Sequence, residues 1–181
     1  MDDVRLLDAY WQASPNADAR PKDCVIDTIV IHSISLPAGN FGHNIIARLF
    51  TNRLPASTHS SMVAAAKVQV SAHCLIDRVG GLTQFVAVDR RAWHAGHSSF
   101  DGRERVNDFS VGIELEGTDD CPYSPAQYLQ LARVCRWLQN HYPSITDQRI
   151  VSHAYIAPYR KTDPGPAFDW HWFSAALAHA E

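Results

Sequence analysis

Hydrophobic and polar positions change their spacing several times along this chain, and each change marks an element. The stretch "CVIDTIVIHSIS" (24–35) is rich in β-branched residues and predicts a strand with Thr28, Val30 and His32 on one face. A Gly/Pro loop, 37–42, separates it from a predicted helix over 44–54. "VQVSAHCLIDRVGGLTQFVAV" (68–88) predicts two strands turning at Gly80-Gly81. After a polar loop, 90–108, "FSVGIELEG" (109–117) alternates as a strand: Val111, Ile113 and Leu115 face one way, Glu114 and Glu116 the other.

The period lengthens to that of a helix in "SPAQYLQLARVCRWLQNHYP" (124–143), where Tyr128, Leu131, Cys135, Leu138 and Tyr142 form one stripe. Ser124 is placed to cap it, Pro125 suits the first turn, and Gln127 completes a capping box. A short strand, "QRIVSHAY", carries His153, and a last helix sets Trp170, Phe173, Leu177 and Ala180 on one face. Strands interleaved with helices predict one α/β domain spanning 1–181, its core over about 24–176, and the hairpin makes its sheet mixed.

Composition narrows the function. The 181 residues are 46% hydrophobic with a net charge of −3 and no basic run, which argues against nucleic acid as a partner. No apolar stretch reaches the roughly 20 residues of a membrane span, and "MDDVRLLDAYWQ" has no signal-peptide pattern, so a soluble cytoplasmic protein is expected. Cys24, Cys74, Cys121 and Cys135 are scattered without CxxC spacing and are expected as reduced thiols.

Chemistry-bearing residues cluster near predicted strand ends. His32, His153 and Asp163 supply two imidazoles and a carboxylate, the donor set of a catalytic zinc with an open fourth position. Spacing alone leaves this open, since a lone histidine at a strand end is more often structural. Glu114 and Glu116 read either as a solvated or ion-paired face or as a general base with a supporting acid. His73 and Cys74 point to opposite faces, and "HAGH" (94–97) has a loop glycine that does not fix both rings together. His43, His59, His141, His171 and His179 are expected at the surface or behind the site.

Taken together, "VIHSISLPAGNFG", "VSAHCLID", "RAWHAG", "GRERVNDFSVGIELEGTD" and "HAYIAPYRKTDPGPAFDW" resemble the zinc-dependent N-acetylmuramoyl-L-alanine amidases of the type-2 amidase family. The likeness runs from about Cys24 to Trp172 and is nearest to members acting on 1,6-anhydro-muropeptides in cytoplasmic peptidoglycan recycling. It implies a mixed central β-sheet flanked by helices, shared with peptidoglycan-recognition proteins. It implies Zn2+ on His32, His153 and Asp163, Glu114 rather than Glu116 as the catalytic glutamate, and Lys161 as the transition-state stabiliser. Trp93 and Arg105 are candidate substrate contacts, for the sugar or peptide and for peptide carboxylates respectively. The implied reaction hydrolyses the amide between the lactyl group of 1,6-anhydro-N-acetylmuramic acid and L-alanine. The implied partner is a small-molecule anhydro-muropeptide, with no obligate protein partner. Ser33, Ser60, Ser61 and Gln69 depart from the family pattern on the substrate side. The competing readings are an amidase of polymeric peptidoglycan, a non-catalytic peptidoglycan-binding module and, distantly, a thiol hydrolase.

Overall fold

The fold is described from a computed structural model, which defines residues 4–6, 8–56 and 59–180. The acidic start at Asp2 and Asp3 lies outside them. In chain order the strands are β1 (Tyr10–Trp11), β2 (Ala17–Ala19), β3 (Thr28–Ile34), β4 (Cys74–Ile76), β5 (Leu82–Gln84), β6 (Arg90–Ala92), β7 (Ser99–Phe100), β8 (Arg103–Glu104), β9 (Ser110–Glu116) and β10 (Ile150–Ser152). The helices are α1 (Ile45–Phe50), α2 (Ser60–Ala65), α3 (Pro125–His141), α4 (His153–Ile156) and α5 (Trp170–Ala178). Six strands form the main sheet in the order β1-β5-β4-β9-β3-β10, and β2-β6 and β7-β8 form two small ribbons.

The sheet is mixed, as the hairpin requires. β4 and β5 pair antiparallel, while β9 runs parallel to both β3 and β4, and β10 parallel to β3. All seven residues of β9 are buried, which fits a central strand covered on both faces. On one face Ile29, Ile31, Val111, Ile113 and Leu115 join Leu131, Leu138, Phe173 and Leu177 in the main core. On the other, Val30 packs with Ala95, Val106, Phe109, Val151 and Ile156. That second face carries the polar side chains considered below.

The helix α3 begins as its sequence demands. Ser124 Oγ accepts from the Gln127 N–H at 3.2 Å, and Gln127 Oε1 accepts from the Ser124 N–H at 3.1 Å. Its stripe buries Tyr128, Leu131, Cys135 and Leu138. At about 1.5–3 kcal/mol per large apolar side chain, this burial outweighs the marginal stability of an isolated helix.

Several boundaries differ from the sequence reading. β3 starts at Thr28 rather than Cys24, and the first helix ends at Phe50. The polar loop 90–108 contains β6, β7 and β8, which are too short to show a period. His153 opens α4 instead of ending a strand, because Ser152 Oγ accepts from the Tyr155 N–H at 3.0 Å and caps the turn. Trp170 is 39% exposed, so only Phe173 and Leu177 of its expected stripe are fully buried.

Candidate metal centre and its acid

β3 and β9 are registered so that His32 stands opposite Glu114 and Ile34 opposite Glu116. The sequence therefore delivers an imidazole and a carboxyl side by side on the face away from α3 and α5. β10, on the other side of β3, ends at Ser152 and turns into α4, which brings His153 alongside His32. The loop after α4 returns Asp163, whose backbone carbonyl accepts from the Ala154 N–H at 2.9 Å. Gly165, at φ 80°, lets this loop pass against Asp119, where any Cβ would collide with backbone. Tyr123 Oη donates to the Pro164 carbonyl at 2.9 Å and closes the loop from the other side. The Asp163–Pro164 peptide is cis.

The result is a compact cluster. His32 Nδ1 lies 2.8 Å from His153 Nδ1. Asp163 Oδ2 lies 3.2 Å from the first and 3.0 Å from the second. His153 Nε2 is 3.2 Å from the Ala95 carbonyl, which accepts only, so the Nε2 proton points there and Nδ1 is left with a lone pair. The His153 lone pair and a carboxylate oxygen, meeting within these distances beside His32 Nδ1, repel one another unless a proton or a cation joins them. This donor set fits a metal ion, with three protein ligands as in catalytic zinc sites.

The electrostatics follow from burial. Burial pushes the His32 imidazolium pKa down to about 4, against the bond and charge of Asp163. Burial pushes the Asp163 carboxyl up, but the adjoining His153 and His32 rings outweigh it and hold the group well below the usual carboxylate range, the ionised form a metal ligand needs. Glu114 goes the other way: burial, and then the nearby Asp163 charge, raise its carboxyl well above normal, while Lys161 pulls it down. Among the described residues, only Glu114 Oε2 and Arg20 Nε are buried side-chain polar atoms without a partner. An orphaned acid oxygen beside a set of metal donors is costly unless something else uses it.

Glu116 has a different environment. Its Oε1 accepts from the Gly42 N–H at 2.6 Å and its Oε2 from the Arg78 N–H at 3.3 Å. It ties the loop after β3 and the β4–β5 turn to β9. The two acids share a face, as alternation predicts, but only Glu114 is free to act.

Lys161 is partly buried and its charge acts on both His32 and Glu114. Trp93 follows β6, its backbone exchanging bonds with Ser71 at 3.1 Å in both directions. Arg105 is at the surface, its side chain 70% exposed and paired with Asp108 at 3.3 Å. A cleft of about 370 Å³, lined in part by Ser33, Ser35, Thr118, Asp119 and Asp163, opens beside the cluster. Ser33 thus stands in the cleft, whereas Gln69 is exposed elsewhere on the surface. Cys74 and Cys135 are fully buried, and burial pushes both thiols up, the opposite of an activated nucleophile.

Spacing alone does not single out His94. Its ring meets that of His32 edge-on, with Nδ1 2.9 Å from His32 Nε2. What fixes it is not the HxxH spacing but Asn107 Oδ1, which accepts from the His94 and Ala95 N–H groups at 3.2 and 2.7 Å. One signal was present: Gly112, in the middle of a buried strand, marks a close approach by another group, and that group is the His94 ring.

This arrangement, a mixed sheet bearing a His-His-Asp cluster that could hold a metal ion beside an unpartnered glutamate, has the donor set and the acid of a hydrolase site. The family model for N-acetylmuramoyl-L-alanine amidase matches residues 21–166, and the chain belongs to that family of amidases. It is 53% identical over 173 residues to the 1,6-anhydro-N-acetylmuramyl-L-alanine amidase AmpD of Escherichia coli K12, covering 96% of this chain and 94% of the relative. The crystal structure of a Se-Met AmpD derivative superposes with a TM-score of 0.93 at 50% identity, covering 98% of both chains. The amidase AmiD from E. coli, solved with the substrate anhydro-N-acetylmuramic acid-L-Ala-D-gamma-Glu-L-Lys, gives a TM-score of 0.62 at 29% identity, covering 87% of this chain and 60% of the other.

Proposed function

We propose that this chain, acting as a single domain, is a zinc-dependent hydrolase of 1,6-anhydro-muropeptides. The bond cut is the amide between the lactyl group of the anhydro sugar and L-alanine. The cytoplasmic setting and the role in peptidoglycan recycling belong to this proposal and rest on the likeness to AmpD relatives. The observation that carries it is the convergence of His32, His153 and Asp163 beside the unpartnered oxygen of Glu114.

His32 Nδ1, His153 Nδ1 and Asp163 Oδ2 would hold the metal. When bound, zinc supplies Lewis acidity and lowers the pKa of water toward about 7. Glu114 is the general base: its unpartnered Oε2 takes the proton of the attacking water and passes it to the departing alanine nitrogen. Lys161 places a positive charge near the oxygen that becomes an oxyanion, a contact whose removal costs roughly 3–4 kcal/mol in other hydrolases. Trp93 walls the sugar or peptide, and Arg105 meets peptide carboxylates. Ser33, in the cleft, shapes the substrate side where this chain departs from the family pattern.

The test is Glu114→Ala with metal content and turnover measured together. Metal should be retained while turnover falls by about 10²–10⁴-fold, the range of lost general acid–base catalysis. Normal turnover by a folded Glu114→Ala protein would contradict the assignment.

A further inference from the structure

A metal-binding imidazole must present a lone pair, so its other nitrogen must keep the proton, and something must enforce that choice. For His153 the Ala95 carbonyl does so. For His32 the partner of Nε2 is another histidine, which could itself donate or accept, so the choice passes one step further out.

Hydrogen-bond bookkeeping resolves it. Ser110 Oγ lies 2.6 Å from the Val106 carbonyl, an acceptor only, so the single hydroxyl proton goes there. Ser110 Oγ is then an acceptor toward His94 Nε2, 3.3 Å away, which fixes the proton of His94 on Nε2. His94 Nδ1 is left as an acceptor and takes the Nε2–H of His32 at 2.9 Å. The Nδ1 of His32 keeps its lone pair, facing His153 and Asp163. His73 does not compete for these bonds: its Nδ1 accepts from the Gly112 N–H at 2.9 Å, and its Nε2 is 3.1 Å from the Arg90 carbonyl. Asn107 pins the His94 backbone, and Gly112, lacking a Cβ, leaves room for the ring.

We propose that His94 is a positioning residue for the metal site, relaying the orientation of Ser110 to hold His32 in its Nε2–H tautomer. It touches neither metal nor substrate in this role. The inference rests on the metal site proposed above, and its test separates the two.

Two variants of the full chain distinguish acceptor from bulk. His94→Leu keeps an apolar side chain of similar size but offers no acceptor. His94→Asn places Oδ1 where Nδ1 stood. Zinc affinity, measured by competition with a chromophoric chelator, should fall about 10–100-fold in His94→Leu, the usual cost of losing such an outer partner. His94→Asn should stay within about threefold of the parent, by the same reasoning about retained acceptors. Circular dichroism and melting with chelator present establish that the variants are folded. Parent-like affinity in folded His94→Leu overturns the proposal, and so does a loss in His94→Asn as large as in His94→Leu. The second readout needs neither metal nor variant: ring ¹⁵N shifts of His32 in the chelated parent protein should report a proton on Nε2 and none on Nδ1. The reverse tautomer overturns the relay. A parent protein with no zinc affinity but with that tautomer would sink the metal reading and leave the relay standing.

Discussion

Replacing Gly112 by alanine puts a methyl group where the His94 ring lies. The added Cβ would stand 2.5 Å from His94 Nδ1 and 2.7 Å from Cδ2. Ordinary carbon contacts need about 3.5–4.0 Å, so the ring or the strand must yield by roughly 1 Å. Neither moves freely: the ring is bonded to Ser110 and His32, and β9 is hydrogen-bonded on both sides. Overpacking of this kind costs about 1–3 kcal/mol. Alanine recovers about 0.4–1 kcal/mol by restricting the unfolded chain. The net loss is therefore about 1–2 kcal/mol, or a Tm lowered by about 2–8 °C for a chain of this size. Urea unfolding followed with chelator present, so that metal binding does not contribute, should show a lower midpoint at unchanged slope. The decisive comparison is the same substitution made in a His94→Ala protein. With the ring gone the methyl has space, so Gly112→Ala should become neutral or slightly stabilising, a coupling of about 1–3 kcal/mol between the two sites. Equal destabilisation in both backgrounds would refute the close-contact argument.

Two further outcomes follow from groups outside the cluster. Replacing all four cysteines by serine should leave turnover within severalfold, while the buried Cys74 and Cys135 sites cost about 1–3 kcal/mol each in stability; a folded, metal-loaded but inactive variant would bring back a thiol mechanism. Asp27 is raised by burial but lowered more by bonds from Arg103, Thr28 and Arg149, so its folded pKa lies below the ordinary carboxylate value. Its contribution is present above the unfolded pKa of about 3.9 and is lost as pH falls through the folded value. Stability against pH, compared between the parent and Asp27→Asn, should converge in acid; parallel curves would contradict this.

How much the sequence revealed depended on whether the deciding contact was local. The alternation of Val111, Ile113 and Leu115 against Glu114 and Glu116 gave both faces of β9 correctly, and the Ser124–Gln127 box set the start of α3. Alternation could not separate Glu114 from Glu116, because what separates them is Gly42 and Arg78, brought in from distant segments. The family likeness chose Glu114, and the orphaned Oε2 supplies a physical ground for that choice. The pattern around His153 reads as a strand because the turn that makes it helical depends on one hydroxyl, that of Ser152. The spacing of His94 does not show what fixes it, because Asn107, thirteen residues further on, holds it in place. Residues that act through long-range hydrogen bonds leave little trace in periodicity, and Gly112 was the one local mark of this site.

The His32, His153 and Asp163 cluster is proposed to hold a metal with which Glu114 hydrolyses an anhydro-muramoyl amide. Mass-spectrometric analysis of products from a purified 1,6-anhydro-muropeptide, with the native, chelated and zinc-restored protein, tests it most directly. The expected products are anhydro-N-acetylmuramic acid and a free stem peptide beginning with L-alanine, lost on chelation and regained with zinc. Full product formation by rigorously metal-free protein, or cleavage at any other bond, would contradict it.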